Sequence, residues 1–85
     1  MSWRIYVRSK AERQLRRLPR DYMARMEKVM DEIGADPFSG DVEKMEGEDN
    51  VWRRRIGAYR IKYEIYMKER IIRISEIERR ASSTY

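Results

Sequence analysis

Arg53, Arg54 and Arg55 stand in a row within VWRRRIGAYRIKYEIY, residues 51–66, and Arg60 and Lys62 follow directly. Guanidinium groups take phosphate oxygens bidentately and stay charged at any physiological pH. Such a cluster suits binding of a phosphodiester and stabilisation of the negative charge that develops on it during reaction. The rest of the chain narrows the chemistry. It has no histidine and no cysteine, which removes the commonest general base, the commonest metal ligand and any thiolate nucleophile. Acid–base work must therefore fall to Tyr, Lys, Arg or carboxylates, and no ligand cluster calls for a metal or other cofactor. The net charge of +5 points to an anionic partner, nucleic acid first, with a membrane surface or an acidic protein behind.

The elements that position these residues follow from periodicity. The chain has 85 residues, 41% charged and 41% hydrophobic, enough for a single domain over residues 1–85 with one modest core. Trp3, Ile5 and Val7 alternate with Arg4, Tyr6 and Arg8, which predicts a half-buried strand. Ser9-Lys-Ala-Glu12 reads as a capping box opening a short helix with Ala11, Leu15 and Leu18 on one side, closed by Pro19. A second helix is expected at about residues 20–33, with Met23, Met26, Met30 and Ile33 as its apolar stripe. Gly34 suits a left-handed position after it, and Asp36-Pro37 marks the stop. Residues 38–50 form a polar connector without a clear period. Strands are predicted at 51–56, 59–67 and 70–77, joined by tight turns at Gly57-Ala58 and Lys68-Glu69. The order β-α-α-β-β-β implies an α+β fold, with two helices packed on one face of a small antiparallel sheet and the first strand added at an edge. The N-terminus MSWRIYVRSK shows no apolar signal run, and no stretch is long enough to span a membrane, so the expected location is cytoplasmic.

Alternation assigns the faces. Trp52 and Ile56 share a side, as do Ile61, Tyr63 and Ile65 on the partner strand. If these face the helices, Arg53, Arg55, Arg60, Lys62 and Glu64 project from the open face, with opposed Cβ atoms roughly 5 Å apart. Like charges that close are destabilising, so stability alone does not account for them. Tyr59, Tyr66 and Tyr85 could add base stacking. Arg54 falls on the face assigned to the core. Either it reaches past the helices to an acid such as Glu27 or Asp31, or the strand is bulged there.

The chain resembles the RelE/ParE superfamily of type II toxin–antitoxin toxins. The resemblance is carried by SKAERQLRRLP, by EKMEGEDNVWRRRIGAYRIKYEI and above all by the pattern W-R-x-R-I-G-x-Y-R-I-x-Y-E, and it covers nearly the whole chain. It implies two helices against an antiparallel sheet and a toxic activity neutralised by a cognate antitoxin, in an assembly that could be a heterotetramer. RelE-type members cut mRNA in the ribosomal A site, whereas ParE-type members inhibit DNA gyrase. Carried over onto this sequence, the RelE-type site falls on Arg53, Arg55, Arg60, Arg79 and Tyr85; Arg55, Arg60, Arg79 and Tyr85 are taken as catalytic, and Arg53, together with Lys62 and Arg80, as RNA-binding. Filling of these positions favours the endoribonuclease branch, acting by metal-independent attack of the 2′-hydroxyl. The alternative is a gyrase inhibitor that cuts nothing, in which Arg79 and Tyr85 have no special role. Two departures bear on mechanism. Lysines of familiar members are arginines here, which cannot accept a proton, and Glu78 stands where a basic residue or histidine is common. Tyr85 is then the candidate for proton transfer or stacking, with Glu64 and Glu78 as fallback bases.

Overall fold

The computed structural model describes residues 3–79. A first strand, β1 (Arg4–Val7), leads into two helices, α1 (Ser9–Arg16) and α2 (Arg20–Ala35). Four strands follow: β2 (Val42–Lys44), β3 (Val51–Ile56), β4 (Tyr59–Tyr66) and β5 (Ile71–Arg79). They form one sheet in the order β1-β5-β4-β3-β2. β1 runs parallel to β5, and every other pair is antiparallel. The fold is therefore α+β, with the two helices on one face of a five-stranded sheet. The first strand does sit at an edge, and β2 is an additional edge strand inside the connector. None of the helices among the described residues is long and apolar enough to cross a membrane.

The core lies between helices and sheet. Ala11, Leu18, Met26, Val29 and Ile33 pack against Ile56, Ile61, Tyr63, Ile65, Ile72, Ile74 and Ile77, with Leu15, Met30, Trp52 and Tyr59 at its margin. Met23 is 39% exposed, so it lies outside this core although it shares the helical stripe. Two expected caps take a different form. The cap of α1 is Arg8, not Ser9, and it makes no side-chain hydrogen bond; Ser9 already lies within the helix. Gly34 is a buried helical residue rather than a left-handed terminus. Its value is close approach: a Cβ there would meet Ile5 Cδ1 at 3.3 Å, beside the bond from Trp3 N–H to its carbonyl (2.7 Å).

One irregularity sets the far end of the sheet. Tyr63 pairs with Ile74 but Lys62 pairs with Glu76, so Ser75 is a bulge residue. Its hydroxyl donates to the Lys62 carbonyl (3.1 Å). The bulge shifts side-chain parity by one. Ile77 thereby joins Ile72 and Ile74 in the core, and Glu76 and Glu78 turn to the open face beside Lys62 and Arg60. Beyond Ile74, β5 has no strand on its outer side among the described residues, and Gln14 of α1 fills in by accepting the Ile77 N–H (2.6 Å).

Arg54 resolves in favour of the reach past the helices, to an acid other than the two expected. β3 carries no bulge, and Arg54, 8% exposed, donates from its guanidinium to Glu32 of α2 rather than to Glu27 or Asp31. The α2–β2 loop closes over it. Gly40, at φ +83°, has its hydrogen where a Cβ would lie 2.6 Å from the Arg54 Cζ, and Tyr63 donates to the Pro37 carbonyl at 2.7 Å.

Ile61 is 0% exposed at the centre of the sheet. An aspartate there buries an unpaired charge, and Ile61→Asp should lose at least about 4 kcal/mol, enough to abolish the cooperative denaturation transition. Arg54→Ala should cost about 2–3 kcal/mol by urea unfolding, less than for a fully buried pair because Glu32 keeps contact with water.

Tyr63 gives a pH signature. Burial, with Asp36 adding to it and Arg54 opposing, pushes its phenol up to about 12. A group whose folded value is raised contributes stability below the unfolded value near 10, and loses it as pH rises. Stability should fall by about 2–3 kcal/mol between pH 10 and 12, and Tyr63→Phe should flatten that part of the profile.

Candidate functional site

The open face of the sheet holds the basic residues. The register sets Arg53 across from Lys62 and Arg55 across from Arg60. All four are at least partly exposed while Arg54 and Ile56 are buried beneath them. Arg53, Arg55 and Arg60 line one small pocket of about 140 Å³. Four cationic side chains on two adjacent strands repel one another, but they also form a dense array of donors fixed by the sheet backbone.

Two residues of this pocket were not foreseen. Asp41 and Glu43, from β2 and the turn before it, line it with the arginines. Glu43 lies opposite Arg53 in the ladder and accepts from its Nη2 at 2.9 Å. Asp41 stands 4.0 Å from Arg55 Nε, and its carbonyl accepts the Arg55 N–H (3.0 Å). The Arg53 hydrogen bond and charge, with Arg60 and Arg55 adding to them, hold the Glu43 carboxyl below its ordinary value. It therefore remains an anion through the neutral range, occupying a position that a phosphate oxygen could take. A three-residue edge strand in a polar connector gives no periodicity to detect; the only sequence signal was the pair of acids ten and more residues before the arginines.

The remaining predicted positions divide. Arg79 is the last residue of β5 rather than beyond it, and its register partner is Tyr59; Glu78, not Arg79, faces Arg60. Arg79 nevertheless lines a wider depression with Arg53, Arg60, Glu76, Glu78 and Gln14. Lys62 lies further along β4, in a depression shared with Arg8, Lys10, Glu48 and Glu76. Tyr85 and Arg80 lie outside the described residues. Tyr59 packs edge-on against Tyr22, with ring centroids 4.6 Å apart, on the helix side and away from the arginines. Glu64 is committed elsewhere. Burial opposes its ionisation, but hydrogen bonds from Arg73 (2.7 Å) and Tyr66 (2.8 Å) outweigh it and hold the carboxyl below its usual value. No group of three or more acidic residues able to hold a metal occurs among the described residues.

A family model for the ParE toxin of the type II toxin–antitoxin system, parDE, matches residues 5–83. The chain belongs to this family. It is 26% identical over 83 residues to a protein of Methanocaldococcus jannaschii that bears the name toxin RelE1, a match covering 94% of this chain and 92% of the relative. Among solved structures, the archaeal RelE–RelB complex from Pyrococcus horikoshii OT3 gives a TM-score of 0.85 at 26% identity, covering 98% of this chain and 100% of that one. The isolated E. coli RelE toxin also reaches 0.85, at 14% identity over 96% of this chain and 88% of its own; at that identity the likeness concerns the fold. This ParE-family chain is thus a type II toxin with a RelE-like architecture.

Glu43 occupies the Arg53 guanidinium that an anion entering the pocket would have to take. Glu43→Gln keeps the shape of the side chain and removes its charge. The affinity for a short non-cleavable single-stranded RNA should rise by up to about fivefold, the scale of an exposed ion pair. Unchanged binding, read by fluorescence anisotropy at fixed salt, would mean that Glu43 does not contest the site.

Proposed function

We propose that this toxin is a ribosome-dependent endoribonuclease that cleaves mRNA in the A site by attack of the 2′-hydroxyl on the adjacent phosphorus. The observation that carries the reading is the convergence of Arg53, Arg55 and Arg60 in one pocket on the open face of the sheet. Attack and cleavage need a base for the 2′-hydroxyl, compensation of the charge on the pentacoordinate phosphorus, and an acid for the departing 5′-oxygen. Arginines fixed on paired strands suit the second task without rearrangement. Arg55, Arg60 and Arg79 are assigned to it, and Arg53, Lys62 and Arg80 to holding the RNA. Proton transfer is assigned to Tyr85, on the ground that guanidiniums beside a phenol favour its anion. Glu64, engaged by Arg73 and Tyr66, is the weaker of the two fallback bases. With so weak a base, positioning of the message by the ribosome supplies much of the rate.

The partner expected in the resting cell is an antitoxin of the RelB kind, as named in the complex from Pyrococcus horikoshii. The apolar groove between α1 and α2, lined by Leu15, Met23, Met26 and Met30, offers an adaptable methionine surface to it. A second reading is supported by the family model itself, which is that of ParE: inhibition of DNA gyrase without cleavage.

Primer extension on a message translated in a cell-free extract separates the two. In-frame cuts that require ribosomes support the nuclease, whereas intact message with loss of gyrase supercoiling supports the inhibitor. Within the nuclease reading, Arg60→Ala and Arg79→Ala should each lower the cleavage rate by roughly 10²–10³ with little change in affinity. Arg53→Ala should instead weaken binding and reduce its salt dependence by about one phosphate contact. Tyr85→Phe keeps a ring and removes the hydroxyl, so a steep fall in rate assigns proton transfer and little change assigns stacking.

A further inference from the structure

The open face does not end at the arginines. Three strands at its other end carry a second array, with Arg4, Ile71 and Tyr66 in one cross-strand row and Tyr6, Arg73 and Glu64 in the next. Tyr6 is 50% exposed. Tyr6, Tyr66, Ile71 and Arg73, with Glu69 at the rim, line a shallow depression of about 470 Å³. Tyr6, Tyr66 and Arg73 have no part in the cleavage chemistry proposed above.

The Tyr66 side chain is held in place. Its hydroxyl donates to Glu64 Oε1 (2.8 Å) and accepts from Arg73 Nη2 (3.1 Å), while Arg73 Nε donates to the same carboxylate oxygen (2.7 Å). The Arg73 guanidinium lies 5.8 Å from the Tyr66 ring centroid. This closed network cancels the Glu64 charge and leaves an aromatic, half-exposed surface beside the exposed Arg4 and Arg8. Flat rings next to cationic side chains are the recurrent means of holding unpaired bases without reading their sequence. Arg60 and Tyr66 are on the same face of β4, six residues or about 20 Å apart, a span of at most about six stacked nucleotides at 3.4 Å each. A depression of mixed charge, with Lys62, Arg8 and Lys10 set among Glu48, Glu64 and Glu76, lies between them.

We propose that Tyr6 and Tyr66, steadied by Arg73 and Glu64, form a base-stacking subsite for single-stranded RNA that extends from the arginine pocket across the open face. This deepens the nucleic-acid reading above and rests on it. The rings contribute stacking rather than charge, so their loss should differ in kind from loss of an arginine.

The test uses the full chain and two non-cleavable 2′-O-methyl RNAs, a trinucleotide and a ten-nucleotide strand, with binding followed by fluorescence anisotropy across a salt series. Tyr6→Leu and Tyr66→Leu keep apolar bulk and remove the ring. Each should weaken the longer RNA about tenfold, leave its salt slope unchanged and barely alter the trinucleotide, and Tyr6→Trp should match or exceed wild type. Longer-RNA binding that is unchanged in both leucine variants overturns the subsite. If Arg53→Ala still weakens binding in that case, the arginine pocket stands without the platform. If neither the arginine nor the tyrosine variants matter, the RNA reading itself fails. A leucine variant that alters self-association by sedimentation while RNA binding holds would make the patch a contact between copies of the chain, which also overturns the proposal.

Discussion

The ion pair between Arg54 and Glu32 constrains the rest of the molecule. It joins the middle of β3 to α2 through the helix-facing side of the sheet. The fifty-first to fifty-sixth residues could in principle slip by one, and a slip would exchange every inward side chain for an outward one. Arg54 is held between α2 and the Gly40 loop; the slipped register would turn both Arg53 and Arg55 inward, where Glu32 could receive only one of them. A buried guanidinium left without a partner costs far more than any gain from re-pairing backbone groups. Three consecutive arginines therefore have two different tasks: the central one locks the strand, and its neighbours are thereby sent to the opposite face.

That division explains how a small domain tolerates such dense charge. Arg55 stands directly across from Arg60, and Arg53 from Lys62, a repulsive arrangement for a two-stranded ribbon. The structure offsets it with acids drawn from both flanking strands. Glu43 and Asp41 approach from β2, and the bulge at Ser75 turns Glu76 and Glu78 toward Lys62 and Arg60 from β5. The pocket itself sets three guanidiniums against two carboxylates, and its ion pairs, open to water, are weak. A phosphodiester that accepts from several guanidiniums at once can displace such weakly held acids at modest cost, so balance in the free protein and readiness for a phosphate are compatible.

The loop between α2 and β2 links core to site. Tyr63 reaches from the centre of the sheet to the Pro37 carbonyl, Trp52 packs edge-on against Phe38 with ring centroids 5.1 Å apart, and Gly40 admits the Arg54 guanidinium. The acids of β2 follow directly after this loop in the chain. Their position over the arginines is thus set by packing on the far side of the sheet, and damage to the core contacts of the loop would be felt as altered electrostatics on the open face.

Much of this was determined locally. Alternation in residues 51–66, broken only at Val51 and Arg54, assigns Arg53, Arg55, Arg60 and Lys62 to one face, because the period of a strand is two and the interleaved Ile, Tyr and Trp residues must be removed from water. The helix pair follows from its apolar spacing for the same reason. What the tertiary structure decided are features without a local energetic signature. Edge strand β2 has three residues, a pairing that only an existing β3 can template. The partner of Arg54 is chosen by the rotation of α2 on the sheet, which brings Glu32 rather than Glu27 or Asp31 within reach. Gly34 serves contact with Ile5 rather than a turn, and the bulge at Ser75 reverses the faces of Ile77, Glu78 and Arg79 relative to simple alternation. Each depends on the distance between residues far apart in the chain, and periodicity along one segment carries no information about that distance.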